Sequence, residues 1–328
     1  EAGMRLSALA EILARKRQRL PVDAPLPAQA TIGGLMATNS FGPRRFGHRT
    51  IRDYLIGMRA VDGQGQPFAG GGRVVKNAAG YDISRLLIGS LGTLGVVTQV
   101  SLMVRPMAET SAMIAAGLPD LDTADSLLVR LFQSALRPVS IDLLTQDWGA
   151  DGNWASEASS SLRMLVGFEG SRNEVAWMID TLRRDWAESS ARDVKVLDEA
   201  DTMGMWQWMT ELPAQLQANL PPSKTSLFLR RMKEIDPGSV MAAHAGDGVV
   251  RIRLSADAAA NLATVLASKV RPVIEELEGK LVVLSVAPGS GLGRDDVWGP
   301  APTRPSVMHA LKERFDPLGI LNPGRWVF

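Results

Sequence analysis

Two glycine-rich segments constrain the fold of this chain more than any other feature of its sequence. Residues 31–48 read TIGGLMATNSFGPRRFGH, and residues 88–97 read IGSLGTLGVV, with a glycine at every third position. Glycine adopts positive φ angles and lets backbone N–H groups approach a ligand closely, and clustered N–H groups form a concavity that binds anions. We therefore expect the two segments to share one anionic ligand. The residues alone leave open the alternative that they are ordinary turns.

The spacing of these glycines excludes the two commonest nucleotide-binding loops. Gly89, Gly92 and Gly95 follow the pattern G-x-x-G-x-x-G rather than G-x-G-x-x-G. A β-branched strand comes after them, so no helix N-terminus is available to receive a pyrophosphate. The chain also contains no G-x-x-x-x-G-K-[S/T] segment. Rossmann and Walker-type sites are therefore both excluded.

The composition narrows the classes of function. The chain has 328 residues, of which 45% are hydrophobic and 22% charged, as is typical of a globular protein with two domains. A net charge of +1 gives no field that attracts nucleic acid or an anionic membrane. The absence of cysteine excludes disulfides, thiolate nucleophiles and cysteine-bound metal clusters within this chain. No apolar run approaches the roughly 20 residues that span a bilayer, and we expect a cytoplasmic protein.

The hydrophobic patterns predict an α+β protein. Before residue 108 they indicate a hairpin of two strands with its turn at Asp62–Gly63, and then a mostly buried strand that ends at Pro106. After residue 108, helices alternate with strands, and TSLFLRR at 225–231 is predicted to be one of the strands. Alternation with hairpin-like pairs indicates an antiparallel sheet that carries helices on one face.

Four segments resemble a known family of flavoproteins. They are ATIGGLMATNSFGPRR (30–45), RDYLIGMRAV (52–61), VVKNAAGYDISRLLIGSLGTLGVVTQVSLMVRP (74–106) and RFDPLGILNPGRW (314–326). In this order they resemble the vanillyl-alcohol oxidase type of flavin-binding family, which has a PCMH-type FAD-binding domain and an FAD-linked oxidase C-terminal domain. The resemblance implies an FAD-binding domain at 1–107, a substrate or cap domain of α+β class at 108–311, and a segment at 312–328 that returns to the flavin domain.

The resemblance also implies a cofactor and its contacts. FAD is expected to bind non-covalently between two lobes of one domain, with its pyrophosphate held by backbone amides. The chain begins after the position of the first lobe, so we expect it to bind FAD weakly or not at all without that lobe. The positions that match the family's cofactor contacts are Thr31, Gly33, Gly34, Asn39, Ser40, Gly42, Gly89, Gly92, Thr93, Gly95, Val97 and Asn322. Among them, Val97 is expected near the adenine and Asn322 near the isoalloxazine.

The family's substrate motifs are only partly present. Catalytic relatives have H-A-G-D-G-N-x-H followed later by G-E-H-G, whereas this chain reads HAGDGVVR at 244–251 and has Ala287–Pro288 in place of Glu-His. His244 is retained, and we expect it to be a turn or pocket histidine rather than a catalytic base. Arg251 and Lys76 are further weak candidates for catalysis, Arg251 as a clamp for a carboxylate. One matching histidine does not make a metal site, so no metal is expected.

The form of the second glycine segment narrows the expected function. Catalytic glycolate oxidase subunits and D-lactate dehydrogenases typically have Glu where this chain has Leu91. The chain therefore resembles most closely the FAD-binding, non-catalytic component of bacterial glycolate oxidase. Its implied partners are a catalytic FAD subunit and an iron–sulfur subunit, through which it could associate with a membrane. The alternatives are a self-sufficient FAD-dependent 2-hydroxy-acid dehydrogenase and a flavin-free assembly subunit. Arg44 and Arg45 are left open between contacts to phosphate or a partner and internal salt bridges.

Overall fold

The computed structural model describes residues 1–72, 82–145, 161–286, 290–300 and 305–325. The chain divides into two compact units. Unit 1 comprises Glu1–Met107 and Ala301–Phe328, and unit 2 comprises Ala108–Pro300. The sequence patterns predict a second domain at 108–311, whereas unit 2 ends at Pro300.

Helices and strands alternate along most of the chain. The described helices are α1 (Leu6–Ala14), α2 (Ile32–Thr38), α3 (Arg45–His48), α4 (Ile51–Tyr54), α5 (Ile83–Leu86), α6 (Leu121–Gln133), α7 (Arg172–Ala187), α8 (Glu199–Glu211), α9 (Thr225–Ile235), α10 (Ala256–Ala260), α11 (Leu262–Val265), α12 (Arg271–Glu276), α13 (Arg294–Trp298) and α14 (Pro305–Phe315). The described strands are β1 (Gln18–Arg19), β2 (Leu55–Val61), β3 (Pro67–Gly71), β4 (Val96–Leu102), β5 (Arg105–Pro106), β6 (Thr110–Leu118), β7 (Ser140–Thr145), β8 (Leu162–Gly170), β9 (Arg192–Leu197), β10 (Leu216–Asn219), β11 (Val240–His244), β12 (Val249–Arg253) and β13 (Lys280–Val283).

Unit 1 is built on a three-stranded antiparallel sheet with the order β3-β2-β4. The predicted hairpin is confirmed, because the Asp62 carboxylate accepts hydrogen bonds from the N–H groups of Gln64 and Gln66 and closes the turn between β2 and β3. The prediction of a mostly buried strand up to Pro106 was wrong for β4, whose Val96 is 57% exposed. Among the described strands β4 pairs with β2 alone, at the edge of this sheet, and one face of an edge strand meets the core while the other meets solvent.

The first residues of the chain are part of the core of unit 1. Ala2 is buried, its N–H donates to Thr98 at 2.9 Å, and its carbonyl accepts from Gly33 at 2.8 Å. Helix α2 therefore contacts this N-terminal segment at its start and contributes Ile32, Leu35 and Met36 to the apolar cluster that also contains Ile51. This packing fixes the start of the first glycine-rich segment.

Unit 2 contains an eight-stranded antiparallel sheet with the order β13-β10-β12-β11-β7-β8-β6-β9. The α+β class is confirmed, but helices lie on both faces of the sheet rather than on one. A Cβ atom at Gly170 would contact Val175 of α7, whereas one at Gly167 would lie 2.6 Å from the Trp206 ring of α8. Residues three apart in a strand point to opposite faces, so α7 and α8 cover opposite faces.

The segment TSLFLRR forms helix α9, not the predicted strand. The β-branched and aromatic residues of this short segment favour a strand locally. Its buried positions, however, include Thr225, Phe228, Leu229 and Met232, which is the spacing of one helical face. Tertiary packing of that face against the rest of unit 2 decides the conformation.

No helix in the described ranges is long and apolar enough to cross a lipid bilayer.

Candidate functional site

The two glycine-rich segments lie side by side in unit 1. The N–H of Gly89 donates to the carbonyl of Met36 at 2.9 Å, and the N–H of Leu91 donates to the carbonyl of Ala37 at 2.8 Å. A Cβ atom at Gly89 would lie 3.7 Å from the Cβ of Asn39. The second segment is thus fastened to the C-terminal turn of α2, next to the residues that follow it.

The C-terminal segment also contacts the second glycine-rich segment. The side-chain amide of Asn322 donates to the carbonyl of Leu91, and the Lys312 ammonium donates to the carbonyl of Thr93 at 2.8 Å. Residues separated by more than 200 positions in the chain therefore form one loop cluster within unit 1.

A buried carboxylate holds the C-terminal loop in place. Asp316 is 2% exposed and accepts hydrogen bonds from the Lys312 ammonium at 2.6 Å and from the N–H groups of Ile320 at 3.1 Å and Leu321 at 2.8 Å. Burial by itself raises the pKa of Asp316, but the hydrogen bonds and the Lys312 charge outweigh it and hold the pKa below its usual range. The ionised carboxylate is therefore the form that closes this loop.

Three of the predicted cofactor contacts have structural roles at the start of helix α2. Thr31 is its N-cap and accepts from the N–H of Gly34 at 3.1 Å, and the N–H of Gly33 donates to Ala2. A Cβ atom at Gly33 would lie 3.3 Å from Ala2, so this glycine permits close approach of the N-terminal segment. The donors predicted at Gly33 and Gly34 are thus already used within unit 1.

A second group of predicted contacts presents unsatisfied polar atoms. Asn39 ends α2 with a φ of 49°, and its buried side-chain oxygen has no hydrogen-bond partner among the described residues. The N–H groups of Ser40, Gly42 and Gly92 donate to no other group in the ranges that the structure describes. Gly92 has a φ of 72°, a conformation that side chains rarely adopt. One acceptor and three backbone donors are therefore available to a ligand in this cluster.

The remaining predicted contacts have structural partners. A Cβ atom at Gly95 would lie 3.2 Å from the carbonyl of Val61, so Gly95 permits close packing on the hairpin. Thr93 is buried and donates to the carbonyl of Ser90 at 2.6 Å. Val97 pairs with Ala60 between β4 and β2 and packs against the core.

The two arginines between the segments differ from each other. The Arg44 Nε donates to buried Asp23 at 2.8 Å, and the Arg44 backbone N–H donates to the same carboxylate at 2.9 Å, so Arg44 forms an internal salt bridge. The Arg45 guanidinium lies 4.2 Å from the centroid of the Phe41 ring, in a cation–π contact.

A second set of polar residues lies on one face of the sheet in unit 2. His244 and Asp142 are directly opposite each other in the β11–β7 pair, and the His244 Nδ1 and Asp142 Oδ1 atoms are 2.6 Å apart. Both side chains are at least nine-tenths buried. Neither the His244 Nε2 nor the Asp142 Oδ2 has a partner among the described residues. The pair therefore exposes two unsatisfied polar atoms to whatever occupies this interior position.

The turn after β11 fixes the position of His244. The N–H groups of Asp247 and Gly248 both donate to the carbonyl of His244, at 3.1 and 2.9 Å. Gly248 has a φ of 74°, and a Cβ atom there would lie 2.0 Å from the carbonyl oxygen of Leu220. Only glycine fits this turn, which explains the second glycine of the HAGDG sequence.

Arg251 lies on the same face but contacts a helix end. It is opposite Ala242 in the β12–β11 pair, two residues from His244. Its Nη1 donates to the carbonyls of Met209 at 3.1 Å and Thr210 at 2.7 Å in the last turn of α8. Backbone carbonyls at a helix C-terminus attract cations, so one side of the predicted carboxylate clamp is occupied by α8.

Two other predicted features fall where the structure gives no description. Lys76 and the Ala287–Pro288 pair lie outside the described residues. Within the described ranges, no group of three or more His, Cys, Asp or Glu side chains is placed to hold a metal ion.

The sequence patterns did not predict which residues of β7 pair with His244 and with helix α8. Ser140 accepts a hydrogen bond from the Trp206 indole at 2.9 Å, and Asp142 lies two residues later on the same face. The available signal was the alternation of Ser140 and Asp142 with apolar residues in SIDLLT, because a polar residue on a buried strand needs a partner.

Comparison with known proteins defines the family. A family profile described as "FAD binding domain" matches residues 1–69, and one described as "FAD linked oxidases, C-terminal domain" matches residues 107–326. The second match covers most of the chain. The chain belongs to the FAD-linked oxidase family. FAD is therefore its cofactor, and the loop cluster of unit 1, with its backbone donors and buried Asn39 oxygen, has the chemistry that a dinucleotide needs.

The FAD-linked oxidase is similar to enzymes and enzyme subunits. It is 26% identical to the D-lactate dehydrogenase of Archaeoglobus fulgidus over 348 aligned positions, which cover 99% of this chain and 76% of that protein. It is 44% identical to glycolate oxidase subunit GlcE of Escherichia coli over 95 positions, which cover 29% of this chain and 27% of that subunit. It is 25% identical to glycolate oxidase subunit GlcD of Bacillus subtilis, with 93% of this chain and 70% of that subunit covered.

Solved structures show the same fold at low identity. An alkyldihydroxyacetonephosphate synthase superposes with a TM-score of 0.70 at 15% identity. The alignment covers 99% of this FAD-linked oxidase but only 63% of the synthase chain.

Proposed function

We propose that this FAD-linked oxidase is the flavin-binding subunit of a multi-subunit dehydrogenase that oxidises a small 2-hydroxy acid, with glycolate as the first candidate. The local identity to a glycolate oxidase subunit supports this proposal, as does the similarity to a second subunit of that name. D-lactate dehydrogenases at similar overall identity support the same class of substrate. The implied partners are a catalytic FAD subunit and an iron–sulfur subunit.

One observation favours a subunit over a complete enzyme. Arg251 stands where the motif of the catalytic relatives has its second histidine, and its guanidinium is bound to the carbonyls of Met209 and Thr210. His244 is left without that partner. On this proposal the substrate motif of the chain is incomplete, whereas the loop cluster of unit 1 keeps backbone donors that can bind the cofactor.

The residues of unit 1 have separable tasks in holding the cofactor. The N–H groups of Ser40, Gly42 and Gly92 would donate to the anionic part of FAD, and the Asn39 oxygen would accept from an N–H or O–H group of the cofactor. Asn322 and Lys312 hold the second glycine segment in the required conformation through its carbonyls. When bound, FAD supplies a two-electron acceptor for oxidation.

Anaerobic flavin bleaching tests the proposal. The full-length protein is loaded with FAD and mixed with glycolate or D-lactate, first alone and then co-purified with the catalytic and iron–sulfur subunits. We expect the visible flavin absorbance to persist in the chain alone and to bleach in the complex. Asn39→Ala should reduce the flavin content of the chain, with Gln64→Ala, an exposed side chain in the turn between β2 and β3, as the control. Bleaching by the chain alone at an enzymatic rate would refute the subunit role.

A self-sufficient 2-hydroxy-acid dehydrogenase is the second candidate. It is favoured by the D-lactate dehydrogenase of Archaeoglobus fulgidus, whose similarity extends over 99% of this chain. The bleaching experiment separates it from the subunit role. A colourless chain that still assembles with the other subunits would instead identify the flavin-free assembly protein.

A further inference from the structure

The net charge of +1 is the sum of opposite charges on the two units. Unit 1 holds 18 Lys and Arg residues against 8 Asp and Glu residues, a net charge of +10, whereas unit 2 holds 18 against 27, a net charge of −9. Charge asymmetry of this kind directs a charged partner to one part of a protein surface. The pyrophosphate of one FAD offsets only a small part of the charge of unit 1.

Residues from three segments of unit 1 form what we call the basic surface: Arg17, Arg19, His48, Arg49 and Arg105. Strands β1 and β5 pair so that Arg19 and Arg105 are directly opposite each other. The Arg19 Nη2 lies 3.4 Å from the His48 Nε2, and because a guanidinium only donates hydrogen bonds, this imidazole nitrogen is the acceptor. The carbonyl of His48 accepts from the hydroxyl of buried Tyr54 at 2.7 Å. The three segments are therefore held together around one tyrosine.

The basic surface brings cations together at some cost to folding. Like charges directly opposite on paired strands, such as Arg19 and Arg105, are destabilising. Burial raises the pKa of the Tyr54 hydroxyl and the charges of these two arginines lower it, so both guanidinium groups lie near the same ring. Asp53 is 3.7 Å from Arg49, whose side chain is 77% exposed, and an exposed ion pair of this kind contributes little.

Two of the arginines occupy backbone conformations that favour glycine. Arg17 follows helix α1 with a φ of 54°, and Arg49 ends helix α3 with a φ of 68° and a ψ of −151°. Glycine adopts such conformations without strain, so arginine at either position adds strain together with a charge. Strained residues concentrate where the strain serves a ligand or a partner.

The composition of the basic surface favours a protein partner. Its cations are arginines, which bind carboxylates through two parallel hydrogen bonds. Met107 is 47% exposed beside them, and its N–H donates to the carbonyl of Arg17 at 2.9 Å. Arginine and methionine are both enriched at protein–protein interfaces. Binding to an anionic membrane relies instead on an amphipathic helix or on a cluster of lysines and arginines beside one.

We propose that the basic surface of unit 1 docks an acidic surface of another protein, through ion pairs between its arginines and carboxylate groups. The identification of that protein as the catalytic FAD subunit rests on the proposed function. The binding of carboxylates rests only on the arrangement of the arginines.

A double variant, Arg17→Gly with Arg49→Gly, separates docking from folding. Glycine relieves the strain at both positions and removes both charges, so the full-length variant should be at least as stable as the parent in urea. It should nevertheless bind fluorescein-labelled poly-L-glutamate about tenfold more weakly in anisotropy titrations. The affinity of the parent should fall as sodium chloride is added. Unchanged affinity in the variant, or a loss of stability, would overturn the proposal.

Two control variants test whether strain or charge alone explains the result. Leu26→Gly relieves a φ of 49° without a change of charge. Arg59→Ala removes one exposed cation from strand β2, outside the basic surface. Both should leave the affinity for poly-L-glutamate within about twofold, as expected of isolated exposed charges. A tenfold loss in Arg59→Ala would show a general effect of net charge and would refute a specific docking site.

The remaining occupants are tested with the same double variant. Binding of the parent to phosphatidylglycerol vesicles but not to poly-L-glutamate would assign the basic surface to a lipid, and self-association that the variant abolishes would assign it to a second copy. Either result would overturn the proposal.

The catalytic subunit is tested by co-purification. The double variant should retain less of that subunit than the parent does, and equal retention would overturn it as the occupant. Flavin bleaching is a separate readout, so a complex that assembles through the basic surface without bleaching would refute the proposed function and leave the docking site standing.

Discussion

The two candidate sites of this FAD-linked oxidase use different parts of the polypeptide. In unit 1 the groups that we propose to bind the ligand are mainly backbone N–H groups, held in place by positive φ angles and by loop-to-loop hydrogen bonds. In unit 2 the second set of polar groups consists of the side chains of His244 and Asp142 on paired strands. The comparison shows that a site made of backbone N–H groups depends on the φ angles of its loops. A site made of side chains depends on the register in which the strands pair.

The largest loss of unfolding free energy is expected for a substitution of Gly248, in the turn between the paired strands β11 and β12. Gly248→Ala combines a positive φ with a Cβ atom 2.0 Å from the Leu220 carbonyl oxygen, so we expect a loss of about 3 kcal/mol or more in unfolding free energy. Gly291→Ala has a similar φ of 68° but open space around the new Cβ, and should cost only about 1 kcal/mol. Urea denaturation measures both, and equal losses would contradict the steric account.

A loss of about 3 kcal/mol is expected from opening the loop cluster at Asp316. Asp316→Ala leaves the Lys312 ammonium and two backbone N–H groups without their buried acceptor, which costs about 3 kcal/mol. Asp295→Ala is the control, since its carboxylate is 76% exposed in an ion pair with Arg294 and should cost less than about 1 kcal/mol. The denaturation midpoint of each variant provides the measurement. Matching midpoints would show that the C-terminal loop does not depend on this carboxylate.

Acid should weaken the same loop progressively. Because hydrogen bonds hold the pKa of Asp316 below 3.8, its usual value, the stabilisation is complete above that value and is lost as the pH falls through the lower, folded-state pKa. Hydrogen exchange of the Leu321 amide, followed as the pH is lowered, should show weakening protection only in that acid range. Asp316→Asn should remove this pH dependence. An unchanged profile in Asp316→Asn would attribute the acid sensitivity to another group.

The smallest expected effect is a change in FAD affinity, and it tests which backbone N–H groups of unit 1 donate to the cofactor. Gly92→Ala strains a φ of 72° at an N–H that we propose to donate to FAD. The displaced N–H should weaken FAD binding about tenfold, since one well-placed hydrogen bond is worth roughly 1.4 kcal/mol. Gly34→Ala should leave FAD affinity within about twofold, because that N–H already donates to Thr31. Flavin fluorescence titration compares the two variants. The reverse order of affinities would restore Gly34 as a cofactor contact.

Sequence patterns predicted the unit 1 cluster better than the unit 2 pair. The glycines of both segments could be identified because a backbone position with a positive φ favours glycine, and glycine is visible in the sequence. The sequence does not show that Ala2 and Thr31 accept hydrogen bonds from the N–H groups of Gly33 and Gly34, and the contacts of these two glycines with the cofactor stay predictions.

The partner of His244 could not be found from spacing. Asp142 is 102 positions away, and the pairing depends on the register of β7 against β11, which no local pattern specifies. Helix α9 was missed for a related reason, since its apolar face becomes evident only when the packing is known. Long-range pairing decided the strand order, the two-sided coverage by helices and the contact of Arg251 with α8.

The ties from Lys312 and Asn322 to the second glycine segment have a consequence for how the protein is made. Unit 1 is assembled from two segments, Glu1–Met107 and Ala301–Phe328, with the whole of unit 2 between them in the sequence. Domains generally fold as units while synthesis proceeds. Unit 2 can therefore finish folding on the ribosome before the segment with Lys312 and Asn322, which completes unit 1, has been synthesised. Loading of the dinucleotide would then be one of the last events in maturation, and a stalled or clipped translation product would carry a well-formed unit 2 and no flavin.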